Sequence, residues 1–210
     1  MAPEARTARI PVIGIVGGVG SGKSTATEAF VDLGCQAIIG DRLGHEVLDL
    51  PETKQAIRRR WGGRFFSADG KVDRRALGQA VFSDLEQMQQ LNAITEPKIR
   101  QRIAEEVDRI RNEGFARAIA LDAAILFEAG WDSMCDYTVF VDAPEPLRAQ
   151  RVQTHRGWDL DELRRREKSQ LKLDSKKSRC YAILDNSSDV SCLRDQVRHL
   201  MDRIDHTPDR

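Results

Sequence analysis

Short, fully apolar runs alternate along this chain with longer stretches in which apolar residues recur every three or four positions. That alternation predicts parallel strands, buried on both faces, joined by helices. Residues 10–16 (IPVIGIV) form a β-branched run followed by glycines, the pattern of a buried strand feeding a loop. Residues 23–33 predict a helix closed by Gly34, and residues 35–39 a second strand, so the chain opens with a βαβ unit. Residues 41–113 read as helical, broken at Gly62 and Gly63, at the turn pair Asp69 and Gly70, and at Pro97, where a helix should end or bend. Within that region Ile99, Ile103, Val107 and Ile110 share one helical face and predict core packing rather than chemistry.

Two further apolar runs, residues 116–122 (ARAIALD) and 137–142 (YTVFVD), predict strands that each end on an aspartate. Residues 145–155 predict a helix, residues 157–179 are highly charged, and residues 182–184 predict a last strand. Val190, Leu193, Val197, Leu200, Met201 and Ile204 stripe a closing helix. The expected fold is α/β, a five-stranded, mostly parallel sheet flanked by helices, with ligands gathering at the strand tips.

Composition narrows the class. At 210 residues with 40% hydrophobic and 31% charged residues, the chain is expected to form one globular domain over 10–204, with flexible tails at 1–9 and 205–210. Basic and acidic residues balance at 33 each, so no global field argues for a nucleic-acid or membrane partner. The four cysteines, at 35, 135, 180 and 192, are widely spaced and form no CxxC, which points to a reducing, cytoplasmic compartment. No signal or membrane segment is legible, and the four histidines show no metal-ligand spacing. A monomer or small homo-oligomer is expected.

The sharpest chemical signal is GGVGSGKS, residues 17–24, placed between the first strand and the first helix. Glycines there let the backbone curl so that successive amides point at phosphate oxygens, and the helix N-terminus adds partial positive charge. The pattern assigns Gly18, Val19, Gly20, Ser21, Gly22 and Thr25 to cradling ATP. It gives Lys23 to the β- and γ-phosphates and the Ser24 hydroxyl to Mg²⁺. Asp122, at a strand tip, is a second carboxylate positioned to reach Mg²⁺, or equally a strand-terminal turn residue. No N-K-x-D guanine-reading motif occurs, which disfavours a GTPase switch.

The stretches VIGIVGGVGSGKST, IIGDRLGHEVL, DAAILFEAGWD and RVQTHRG, in that order from residue 10 to residue 204, resemble the dephospho-CoA kinase family. That resemblance implies a P-loop kinase fold with a helical acceptor-side insertion over 41–113 and a lid over 156–179. The implied reaction is ATP-dependent phosphorylation of the ribose 3′-hydroxyl of dephospho-CoA. Asp41 matches the second aspartate of the family's D-A-D and would accept or orient the acceptor's proton, although it would also suit a helix N-cap. The segment GKVDRRALGQAVFSD and the run ILFE match acceptor-side motifs and suggest Arg74 and Glu128 as substrate residues; a solvated helix-start charge and a cap are the alternatives. Arg151 and Arg156 resemble the family's R-L-x-x-R, with Arg156 one residue late and a candidate for stabilising the transferring phosphoryl or stacking on adenine; a solvated helical face is the alternative. Gln170 and Asn186 match the lid glutamine and an asparagine near the adenine; Asn186 would also serve as a cap or turn residue.

Residues 144–179 carry eleven Lys or Arg against six Asp or Glu, which suits a lid closing over triphosphate. Within it Lys172, Lys176 and Lys177 read as a solvated helical face. The chain departs from the family pattern at Ile39 (first aspartate of D-A-D), Glu96 (histidine of H-P), Ala124 (proline before L-L-F-E) and Tyr181 (aspartate of the late A-D). Competing expectations are a nucleoside, nucleotide or shikimate-type kinase, a P-loop regulatory ATPase, and a P-loop fold without catalysis.

Overall fold

The computed structural model describes residues 9–82 and 84–207. Most of the expected tails, residues 1–8 and 208–210, lies outside the described residues. The chain divides into two compact units, the second spanning Ile39–Glu105 and the first formed by what precedes and follows it.

The first unit is built on a five-stranded sheet in the order β2-β3-β1-β4-β5. Its strands are β1 (Val12–Gly17), β2 (Gln36–Ile39), β3 (Ile119–Asp122), β4 (Tyr137–Asp142) and β5 (Ala182–Asp185). The β1–β3, β1–β4 and β4–β5 pairs are parallel. Every residue of β1 is buried, as the unbroken apolar run demands of a strand covered on both faces. The chain leaves β1 toward one sheet edge and later returns on its other side through β4. The C-terminal end of β1 is therefore the switch point of the sheet, where such folds open a crevice for ligand.

Helix α1 (Lys23–Asp32) closes where the sequence predicts, with Gly34 left-handed at φ +89° just beyond it. The closing helix of this unit, Val190–Asp205, buries Leu193, Val197, Leu200, Met201 and Ile204 against Ala26, Ala29 and Phe30 of α1 and the sheet residues Ile13, Ile15, Val139 and Val141. Val190 departs from the expected stripe. It is the first residue of the helix and is exposed.

The second unit begins at the end of β2. It contains α2 (Gly40–Asp49), α3 (Pro51–Trp61), α4 (Arg74–Phe82) and most of α5 (Leu85–Glu113). Its own core joins Ile57, Trp61, Phe65, Val72, Leu77 and Val81. The break at Gly62 and Gly63 and the turn at Asp69 and Gly70 fall where predicted, the turn closing an antiparallel bridge between Phe66 and Val72. Pro97 does not end its helix: α5 runs through it. Proline removes one helical hydrogen bond, and the buried face beyond it, Ile99, Ile103, Val107 and Ile110, outweighs that loss.

Three helices complete the first unit: α6 (Glu145–Arg156), α7 (Leu160–Lys168) and α8 (Leu173–Ser178). The closing helix is α9. Among the described residues no helix is long and apolar enough to cross a membrane.

Candidate functional site

The loop between β1 and α1 is held from behind by its carbonyls. Lys23 Nζ donates to the carbonyls of Gly17 and Gly18, each at 3.2 Å. Arg148 Nη1 donates to the Val19 carbonyl at 3.1 Å. The Ser21 carbonyl accepts from Asn186 Nδ2 at 2.7 Å and from Arg151 Nη1 at 3.3 Å. Two of the loop's amides are also held within the protein: the Val19 N–H donates to Glu167 Oε1 at 3.1 Å and the Ser21 N–H to the Gly18 carbonyl at 3.2 Å. The first amides of α1 have no partner within the helix and make an anion-binding end.

Side-chain crowding explains two of the glycines. A Cβ on Gly18 would lie 2.8 Å from Arg148 Nη1 and 3.0 Å from Glu167 Oε1. A Cβ on Gly22 would fall 2.0 Å from Asn186 Nδ2, and Gly22 is left-handed at φ +92°. Neither position has room for a larger residue.

The predicted residues of the first unit divide into those joined to this loop and those that are not. Arg151 and Asn186 are joined to it. Arg151 Nη2 also donates to the Asn186 carbonyl at 3.0 Å, so the two residues form one brace under Ser21. Asn186 is buried, and its amide group serves the loop backbone. Asp122 stands at the tip of β3, where its Oδ2 accepts from Thr27 of α1 at 3.4 Å. Ser24 is exposed on the first turn of α1, and Thr25 is half-buried beside it.

Glu128 has an internal job. Its Oε1 lies 2.7 Å from Lys176 Nζ and accepts the Leu171 amide at 2.8 Å. Lys176 is fully buried, which corrects the expectation of a solvated lysine face. Its ammonium also donates to the Ala124 carbonyl at 2.7 Å and to Gln170 Oε1 at 2.8 Å, so its three protons have three acceptors. Lys177 pairs with Asp142 at 2.5 Å, and Lys172 alone of the three is exposed as expected. Arg156 ends α6, exposed, with its guanidinium 4.8 Å from the Trp158 ring centroid.

The other two predicted residues belong to the second unit. Asp41 lies in the first turn of α2 and is exposed. The N-cap of α2 is Ile39, which offers no side-chain acceptor, so Asp41 is not the cap. The family's first aspartate would fall on that cap position. Arg74 opens α4 and pairs with Asp49 at 3.4 Å. Glu96 is half-buried within α5, and burial holds its carboxyl above the usual carboxylate range.

All four cysteines are free thiols. Burial pushes Cys35 and Cys180 up to about 11 and Cys135 up to about 12, so none of these three is a thiolate near neutrality. Among the described residues no group of His, Cys, Asp and Glu forms a metal cluster. Sequence reasoning missed Arg148 and Glu167. The signal for Arg148 was its spacing from Arg151 and Val152, which sets all three on one face of α6.

The family model for dephospho-CoA kinase matches residues 11–191. The chain belongs to the dephospho-CoA kinase family. A dephospho-CoA kinase from Chlorobaculum tepidum is 35% identical over 199 residues, covering 92% of this chain and 95% of that protein. Among solved structures, TT1252 from Thermus thermophilus superposes with a TM-score of 0.80 at 28% identity, covering 95% of this chain and all of that one. A dephospho-CoA kinase from Campylobacter jejuni superposes with a TM-score of 0.68 at 23% identity, over 92% of this chain and 96% of that one. That last likeness bears on the fold alone.

Proposed function

We propose that this chain transfers the γ-phosphoryl group of ATP to the ribose 3′-hydroxyl of dephospho-CoA, giving CoA and ADP. The observation that carries this is the braced phosphate loop at the sheet's switch point, in a chain that matches the family along most of its length. The loop's amides after Val19, with those that open α1, take the phosphates, and Lys23 exchanges its loop carbonyls for β- and γ-phosphate oxygens. Ser24 and Asp122 are the oxygen donors for Mg²⁺. Two protein oxygens with the remainder from phosphate and water suit an ion that keeps most of its shell outside the protein. Mg²⁺ bound there would draw negative charge from the transferring group.

Asp41 orients the acceptor hydroxyl and takes its proton; the support is its exposed carboxylate two residues past β2, unburdened by capping. Arg151 and Asn186 shape the nucleotide side through the Ser21 carbonyl, and Arg156 contributes positive charge toward the transferring phosphoryl. Residues 41–113 serve the acceptor, with Arg74 on that side, and residues 156–179 close over the nucleotide. Glu128 fixes Lys176 and the segment leading into α8, within that closing region. Free thiols suit a reducing cytoplasm.

A coupled ADP assay with and without dephospho-CoA tests the reading. ADP should form in proportion to dephospho-CoA and only slowly without it. ADP that ignores dephospho-CoA but follows shikimate or a nucleoside would assign another acceptor. In the same assay Asp41→Asn should lower kcat about a hundredfold while ATP affinity stays within twofold. An unchanged kcat would leave Asp41 no part in the chemistry.

A further inference from the structure

Two helices meet at a single residue of the phosphate loop, Val19. Glu167 Oε1, from α7, accepts the Val19 N–H at 3.1 Å and is ion-paired with Arg148 Nη1, from α6. The same Arg148 nitrogen donates to the Val19 carbonyl at 3.1 Å. Arg148 Nε donates to the Ala143 carbonyl at 3.1 Å, which anchors the guanidinium just past the end of β4. Both polar groups of Val19 are thus taken by one ion pair, in a closed ring of hydrogen bonds.

The ring is sheltered: Arg148 is 5% exposed, and the Glu167 side chain 19%. Charge-assisted bonds in such surroundings are stronger than neutral ones in water. A bare carboxylate beside a phosphate site would repel a polyanion, but here the guanidinium balances it. The clamp therefore contributes geometry. The N–H belongs to the Gly18–Val19 peptide and the C=O to the Val19–Gly20 peptide, so the clamp fixes the two planes on either side of Val19, and the second of them sets the direction of the amides that follow.

We propose that Glu167 is a positioning residue for the nucleotide: with Arg148 it locks the two peptide planes flanking Val19, so the loop's later amides face the phosphates, and it ties α7 to the loop. This inference rests on the reading of the loop as the ATP site. A pair that merely joined α6 to α7 would affect stability and leave nucleotide affinity alone.

The test compares wild type, Glu167→Ala, Glu167→Gln and the double variant Arg148→Met with Glu167→Leu. ATP binding is measured by calorimetry in MgCl₂, Val19 amide exchange by NMR, and KM for both substrates by the ADP assay. Glu167→Ala should bind ATP about tenfold more weakly, with a matching rise in KM for ATP, an unchanged KM for dephospho-CoA and faster Val19 exchange. Glu167→Gln keeps a side-chain carbonyl for the Val19 N–H and should recover most of the loss. If Glu167→Ala proves unstable, the double variant decides. Replacing a whole buried pair by apolar side chains is often tolerated, and it too should show the tenfold loss. Wild-type or tighter ATP binding in a folded variant lacking the clamp overturns the proposal, as does a glutamine variant as impaired as alanine. Wild type that fails to bind ATP overturns the loop's nucleotide role, and the proposal with it.

Discussion

Lys23→Ala should lower kcat about a thousandfold if, as proposed, the lysine follows charge onto the leaving β-phosphate and the transferring γ-phosphoryl. In the structure its ammonium sits on the carbonyls of Gly17 and Gly18, bonds it can exchange for phosphate oxygens without moving its stem. Removing it therefore has two effects: the transition state loses a cation, and two loop carbonyls lose a donor. The first acts on kcat and the second on ATP affinity, so the two are separable by measuring both. Single-turnover phosphoryl transfer at saturating ATP isolates the chemical step. We expect the thousandfold loss there and only a several-fold weakening of ATP binding. Arginine should rescue little, since its planar fork is a poor match for a compact ammonium site. Turnover at the wild-type rate would remove Lys23 from the mechanism.

The second large effect is on stability. Lys176→Ala should destabilise the protein by about 3–5 kcal/mol, because it leaves the buried carboxylate of Glu128 without its counter-charge. Among the described residues Glu128 Oε2 already lacks a hydrogen-bond partner. The Ala124 carbonyl and Gln170 Oε1 lose their donor in the same step. The control is the double variant Lys176→Met with Glu128→Leu, in which no charge remains to be stranded, and which should regain most of the stability. Urea unfolding followed by circular dichroism reads both. A single variant within about 1 kcal/mol of wild type would show the pair to be dispensable.

How far the sequence foretold all this depends on the range of the interactions involved. The strands, the first helix and the phosphate loop were legible, because runs of buried residues and glycine spacing are properties of neighbouring positions. The stripe at Ile99, Ile103, Val107 and Ile110 was legible for the same reason. Lys176 was not. In a segment dense with lysine and arginine, a single buried ammonium is invisible until Glu128 and Gln170, far apart along the chain, are seen beside it. Glu167 was hidden likewise among the charges of α7, and only its contact with Val19 distinguishes it from Glu162, which pairs along its own helix. Pro97 misled in the other direction, since a local rule met a longer-range packing preference and lost. Of the candidate site, the donor half was readable as a motif. Of the supports that hold it, Arg151 and Asn186 were named through the family resemblance, whereas Arg148 and Glu167 were not, since their contacts with Val19 join positions far apart in the chain.

The carbonyl-side bracing of the phosphate loop has a consequence for how nucleotide is captured. Gly17, Gly18, Val19 and Ser21 are already fixed by Lys23, Arg148, Arg151 and Asn186, so the cost of ordering this backbone is met when the chain folds rather than when ATP arrives. A receptor shaped in advance is competent in nearly every molecule. Its apparent affinity is then close to its intrinsic one, and the encounter rate is set by diffusion and charge, with no wait for the loop to form.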